Sequence, residues 1–183
     1  MKTKDLVMIA LAICLLTISA QFKLQLYIVP FSLQFMTVLL LSLCLPVNIA
    51  FTSILLYIFI GLLGIPVFAT GGGLLYITKA SFGFLLGFLA IPVICHWSRK
   101  QKGSTLHFMI RTGFLCWLTL YAIALPYCYM IATTVLMIPL TWNSFFWMFC
   151  LAFLPGDSFV IITALLLAKR ISSANKLQSS KEH

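Results

Sequence analysis

Apolar residues run along this chain in long unbroken blocks, with neither the alternation of a half-buried strand nor the one-sided stripe of a soluble amphipathic helix. At roughly 20 apolar residues per membrane crossing, the blocks predict helices over 5–22, 31–46, 47–65, 82–98 and 108–130, the second and third joined by a tight turn at Pro46. The stretch 105–168 is harder to divide, because Arg111 and Asp157 are its only charges. As continuous helix at about 1.5 Å per residue it is long enough for three crossings. Basic residues flank it on both sides (Arg99, Lys100 and Lys102 before, Lys169, Arg170, Lys176 and Lys181 after), so if both flanks lie inside, the number of crossings between them is even. Two crossings leave a surplus, 131–154, which is expected to form an outer loop with a short half-helix. The last helix, 155–170, is then expected to start at Pro155, since proline's missing N–H costs nothing in a first turn.

Composition turns this pattern into a fold class. Of 183 residues, 62% are apolar and 8% charged, against about 25% charged in soluble domains, too few charges to cover a water-facing surface. The expectation is an all-α integral membrane protein of one domain, a bundle of six transmembrane helices with both termini in the cytoplasm. That orientation places ten of the 12 Lys and Arg residues inside and leaves Lys23 and Lys79 outside, and the reverse orientation would invert the rule. The net charge of +9 would suggest nucleic acid in a soluble protein, but here the bases sit between spans as anchors, and no nucleic-acid partner is expected. Lys2 and Lys4 before an apolar run, with Ser19 and Ala20 behind it, resemble a secretory signal; the topology needs this segment as its first span, so it is expected to stay. The six cysteines show no metal-ligand spacing and read as buried thiols.

Candidate chemistry collects on the predicted outer side, in 22–34, 65–81 and the approach to Pro155-Gly156-Asp157. Asp157 is the only acidic residue between Asp5 and Glu182. A carboxylate at membrane depth costs about 2.5–3.5 kcal/mol on insertion scales, which marks it as a site residue. The plainer role is capping, in the first turn of its own helix. An ionised carboxylate only accepts hydrogen bonds, so its ligand must present N–H or O–H donors. Gln25 and Gln34 are unneeded by a lipid-facing helix. The triplet Gly71-Gly72-Gly73 lets backbone approach a ligand or forms a flexible loop; if it packs against ligand, bulk at Gly72 weakens binding and leaves the fold intact. Tyr76 and Lys79 follow, placed either to close over a small molecule or to anchor the interface. Enzymatic classes fare poorly: one carboxylate cannot make an aspartyl dyad, and no G-x-S-x-G, H-E-x-x-H or G-x-x-x-x-G-K-[ST] occurs. No cofactor or metal is expected, and a channel would need a polar stripe that these helices lack.

Val29-Pro30-Phe31-Ser32-Leu33-Gln34, Leu56-Tyr57, Gly61-Leu62-Leu63-Gly64-Ile65-Pro66-Val67-Phe68-Ala69, Phe82-Gly83-Phe84-Leu85-Leu86-Gly87-Phe88 and Leu154-Pro155-Gly156-Asp157 occur in that order. This series resembles the motifs of the BioY family, the biotin-capturing S components of energy-coupling factor (ECF) transporters. The resemblance implies a six-helix S-component bundle in the bacterial cytoplasmic membrane, with biotin held near the outer surface beneath the loop after the third helix. It implies Asp157, Gln34, Gly71, Gly72, Gly73, Tyr76 and Lys79 as substrate-binding residues. It also implies partners, a transmembrane coupling subunit (T component) and two cytoplasmic ATPases, with Ala10 and Cys14 as the partial small-residue spacing that meets the coupling subunit. The chain departs from the family in having Val160 where P-G-D-x-x-K carries its lysine, with Lys79 a substitute, and Ala80-Ser81 where the family has P-T. The other readings are an S component for another small vitamin or metabolite and a membrane scaffold that binds none.

Overall fold

The structure, a computed structural model, describes residues 2–26, 29–99, 105–139 and 141–179. Helix α1 (Thr3–Gln21) opens with Asp5, whose carboxylate accepts the Lys2 backbone N–H at 3.0 Å and so satisfies a donor at the helix start. A two-stranded antiparallel hairpin follows, β1 (Lys23–Leu26) and β2 (Val29–Ser32), with Lys23 opposite Ser32 and Leu26 opposite Val29. The chain continues through α2 (Gln34–Cys44), α3 (Val47–Leu62), a 3₁₀ turn (Leu74–Thr78), α4 (Phe82–Phe88), α5 (Ile91–Arg99), α6 (Thr105–Thr134) and α7 (Trp142–Ser179). The architecture is helical, as the apolar blocks predict, and Pro46 does separate α2 from α3. Among the described residues, three helical stretches are long and apolar enough to cross a membrane, Thr3–Gln21, Phe82–Arg99 and Ile110–Thr134, and Gln34–Cys44 and Val47–Leu62 are shorter apolar helices.

Three boundaries differ from expectation. The stretch 22–34 contains the hairpin, closed by the Leu33 N–H on the Phe22 carbonyl at 3.2 Å, a pairing that four-residue strands do not announce. The helix expected over 82–98 is interrupted at Leu89 and Ala90, whose N–H groups bond three residues back, to Leu86 and Gly87. Pro92 explains the break, since it has no N–H for the Phe88 carbonyl. Most consequentially, α6 continues to Thr134 and α7 already begins at Trp142, so there is no separate half-helix within 131–154 and the last helix does not start at Pro155. Pro155 lies inside α7, as Pro126 lies inside α6. Packed helices tolerate such prolines because neighbours can satisfy the freed carbonyl.

The core gathers where the helices face each other: Leu16 of α1, Val38 and Leu39 of α2, Ile54 and Tyr57 of α3, Ile91 of α5 and Leu120 of α6 are all fully buried. Gly83 and Gly87, one turn apart, set α4 directly onto α6. A Cβ at Gly83 would stand 2.9 Å from the Ala124 carbonyl oxygen, and one at Gly87 2.7 Å from Leu120 Cδ1. This is the small-residue contact by which membrane helices approach closely. Cys95, Cys116 and Cys128 are buried thiols as expected, whereas Cys14 and Cys44 are exposed on helix faces; the Cys150 side chain lies outside the described residues.

The loop 65–81 folds back onto α3. The Phe68 ring occupies the space over Gly61, where a Cβ would meet it at 2.1 Å, and the Gly73 N–H donates to the Gly61 carbonyl at 2.7 Å. Gly71 (φ +110°) and Gly73 (φ +99°) take the left-handed backbone that side chains disfavour, while Gly72 is needed for space: a Cβ there would lie 2.3 Å from the Ile65 carbonyl oxygen. The expectation that bulk at Gly72 spares the fold is therefore corrected, because the clash is with the loop's own backbone. Gly72→Val is expected to destabilise by about 1–3 kcal/mol, the usual cost of overpacking, read as a lowered thermal unfolding midpoint of the detergent-solubilised protein. An unchanged midpoint would mean that the loop yields freely.

Candidate functional site

Beneath that loop, α2, α4, α6 and α7 border a cavity of about 50 Å³. Its walls are mostly apolar: Phe35 from α2, Phe84, Leu85 and Phe88 from α4, Leu120 from α6 and Phe153 from α7. Its polar groups are few and come from separated parts of the chain, Ser32 and Gln34, Tyr76 and Ser81, Tyr121 and Asp157. A pocket of apolar walls with a small number of convergent polar groups is the usual form of a small-molecule site.

Asp157 is buried, at 5% exposure, well inside α7. Since that helix starts at Trp142, Asp157 does not stand in a first turn, and the capping role falls away. Its carboxylate accepts a hydrogen bond from the Tyr121 hydroxyl. Trp117, one turn earlier on α6, packs against the Tyr121 ring with centroids 4.8 Å apart. Phe84 meets the Tyr121 ring edge-on at 5.8 Å and holds it in place. A carboxylate has about four acceptor positions, so the Tyr121 bond leaves it able to accept from a ligand.

Gln34, the first residue of α2, is buried at 5% exposure and enters a chain of bonds. Its Nε2 donates to the Tyr57 hydroxyl at 2.7 Å, which donates to the Val67 carbonyl at 2.9 Å, and Ser32 Oγ donates to Gln34 Oε1 at 3.2 Å. The glutamine is thereby tied to α3, to the hairpin and to the loop at once.

Tyr76 is buried in the 3₁₀ turn, its ring 4.4 Å from Phe68, which in turn meets Tyr57 edge-on at 5.4 Å. Its hydroxyl accepts from Ser81 Oγ at 3.2 Å and Thr70 Oγ1 at 3.4 Å. Lys79 is exposed and does not line the cavity. Its Nζ donates to the Thr70 carbonyl at 2.8 Å and Thr70 Oγ1 at 3.1 Å, and stands 5.0 Å from the centre of the Tyr76 ring. Val160, where the resemblance implies a lysine, is a core residue with 1% exposure.

Of the residues singled out from sequence, Asp157, Gln34 and Tyr76 thus converge on one cavity, and Lys79 stands one layer behind it. Gly71, Gly72 and Gly73 are not in its walls. They shape the loop, and Gly72 and Gly73 border a separate outward-facing apolar groove beside Phe59, Leu63, Leu74 and Leu75. Ala10 and Cys14 lie on the exposed face of α1, away from the cavity. The side chain of Gln25 lies outside the described residues. Sequence reasoning missed Tyr121, Trp117, Ser32, Thr70 and Ser81. The spacing of Trp117 and Tyr121, with a hydroxyl inside an apolar helix, was the available signal. Among the described residues no three His, Cys, Asp or Glu side chains come together as a metal site would require.

The structure is similar to the crystal structure, at 2.1 Å, of the S component for biotin from an ECF-type ABC transporter, with a TM-score of 0.75 at 17% identity over 94% of this chain and 95% of that one. In sequence, it is 35% identical over 170 residues to the probable biotin transporter BioY of Lysinibacillus sphaericus, covering 92% of this chain and 87% of that protein. It is 29% identical to the probable biotin transporter BioY of Pyrococcus horikoshii, over 93% and 98%. The family profile described as the BioY family matches residues 1–176. A multi-pass membrane chain with this fold, and with this family's sequence pattern along nearly its whole length, belongs to the BioY family.

Proposed function

We propose that this chain captures biotin at the outer face of the membrane and carries it inward as the S component of an ECF transporter. The observation that carries the reading is the placement of Asp157, an acceptor-only group, in an otherwise apolar cavity beneath a folded-back loop. The ureido ring of biotin offers two N–H donors, which suit that carboxylate, and its thiophane ring and valeryl chain are apolar and suit the walls. The names of the relatives point the same way, and favour biotin over another vitamin or a ligand-free scaffold. Asp157, Gln34 and Tyr76 are the proposed contact residues, with Lys79 supporting Tyr76 and the glycine triplet holding the loop.

The cavity's 50 Å³ is far below the roughly 300–1,000 Å³ of sites for drug-sized ligands. Seating biotin therefore requires the cavity walls to move apart. The work of transport falls to partners, a transmembrane coupling subunit and two cytoplasmic ATPases, since no ATP-binding motif occurs here. Ala10 and Cys14, on the outward face of α1, are the proposed contact with the coupling subunit. The protein is placed in the bacterial cytoplasmic membrane with six crossings and both ends inside, the arrangement that the basic residues support.

Titration of the purified protein with biotin tests the function directly, and a folded protein that binds none would end it. Asp157→Asn keeps the size and loses the charge. Charge-assisted bonds are worth about 1.5–3 kcal/mol, so biotin affinity is expected to fall about tenfold or more, and Asp157→Ala further, both read by calorimetric titration. Wild-type affinity in the Asn variant would remove Asp157 from the site. The topology has its own test: a cysteine placed at Gln101 is expected to resist an impermeant thiol reagent added to intact cells, and labelling from outside would refute the six-crossing arrangement.

A further inference from the structure

The cavity has two chemically opposite ends. One is Asp157, an acceptor. The other lies at the loop, where the Tyr76 hydroxyl already accepts from both Thr70 and Ser81, while among the described residues nothing accepts its own proton. A phenol oxygen so occupied has its proton left to donate, and Tyr76 is a wall residue of the cavity. Behind it, the Lys79 ammonium donates to Thr70 Oγ1, and Thr70 Oγ1 donates to Tyr76. Successive bonds of this kind polarise one another, so the positive charge of Lys79 strengthens the Tyr76 donor without entering the cavity. The ammonium also lies over the Tyr76 ring, which fixes the ring relative to the charge.

The two ends are tied to different levels of α6. Ile77 and Ala80 of the loop are fastened to Tyr127 and Cys128 of α6, the former accepting the Tyr127 hydroxyl and the latter the Cys128 thiol. Tyr121, the partner of Asp157, lies six residues earlier on the same helix, about 9 Å deeper at 1.5 Å per residue. Among the described residues the cavity wall contains no basic side chain, and Lys79 is a positive group linked to it through Thr70.

We infer that the site orients an acid-tailed ligand: the Tyr76 hydroxyl receives the ligand's carboxylate, with Lys79 as a positioning residue acting through Thr70, while the N–H-bearing head lies at Asp157. The inference rests on the biotin reading and assigns each end of the molecule. The opposite orientation would bring a second carboxylate against Asp157, where like charges repel.

The test compares biotin with biotinamide, the neutral carboxamide of the same shape, by calorimetric titration of the purified wild-type protein and of Tyr76→Phe, Thr70→Val, Lys79→Met and Lys79→Arg. The wild-type protein is expected to prefer biotin about tenfold, the size of one charge-assisted bond. Tyr76→Phe, Thr70→Val and Lys79→Met are each expected to bring the ratio towards one by weakening biotin alone, and Lys79→Arg to keep most of the preference. A variant that merely loosens the loop weakens both ligands together and leaves the ratio intact, and that result for Tyr76→Phe or Lys79→Met overturns the assignment. Equal binding of the two ligands by wild type overturns it as well, with the biotin reading left standing. Binding of neither overturns the biotin reading first.

Discussion

In an apolar bundle every buried polar group has to bring a partner, because an unpaired amide or hydroxyl costs roughly 1–3 kcal/mol in a protein and a bare charge far more. The site obeys this constraint with side chains drawn from distant parts of the chain. Asp157 of α7 is held by Tyr121 of α6, and Gln34 of α2 by Tyr57 of α3 and Ser32 of the hairpin. Tyr76 of the loop is held by Thr70 and Ser81, and Thr70 by Lys79. The first two sets join separate elements and the third ties the loop to itself, so satisfying the polar groups also assembles the cavity. Buried atoms left without a partner, Ser98 Oγ, Arg111 Nε and Thr112 Oγ1, are found towards the other end of α5 and α6, away from the site.

Close backbone packing does the complementary work. Gly61 leaves room for Phe68, Gly72 lies against the Ile65 carbonyl, and Gly83 and Gly87 bring α4 onto α6. The first two draw the loop down over the cavity, and the last two put Phe84 and Leu85 into its wall. Two of these four contacts act on the loop, whose fastening rests on a ring over a glycine, a close backbone approach and a few hydrogen bonds. Such locally held segments open at a cost well below that of global unfolding.

The polar groups at and behind the cavity fall into two sets, the acceptor Asp157 beside Tyr121 on the helices, and the hydroxyls of Tyr76, Thr70 and Ser81 on the loop with the Lys79 ammonium behind them.

The membrane class, the helical blocks around 5–22, 47–65 and 108–130, the hinge at Pro46 and the family were legible in the residues alone, because uniform apolarity and the order of short motifs are local properties. Asp157 and Gln34 were legible too, since a polar side chain in an apolar run stands out whatever surrounds it. The course of 131–154 was not. Pro155 and Gly156 read as a helix start, and only the packing of neighbouring helices keeps α7 continuous through them. The glycine triplet read as a ligand contact or a flexible loop, and that a carbonyl from Ile65 and one from Gly61 close on Gly72 is decided by the fold of the loop. Tyr121 meets Asp157 only through the rotation and packing of α6 against α7, which bring side chains 36 residues apart within hydrogen-bond reach, and no local pattern carries that information.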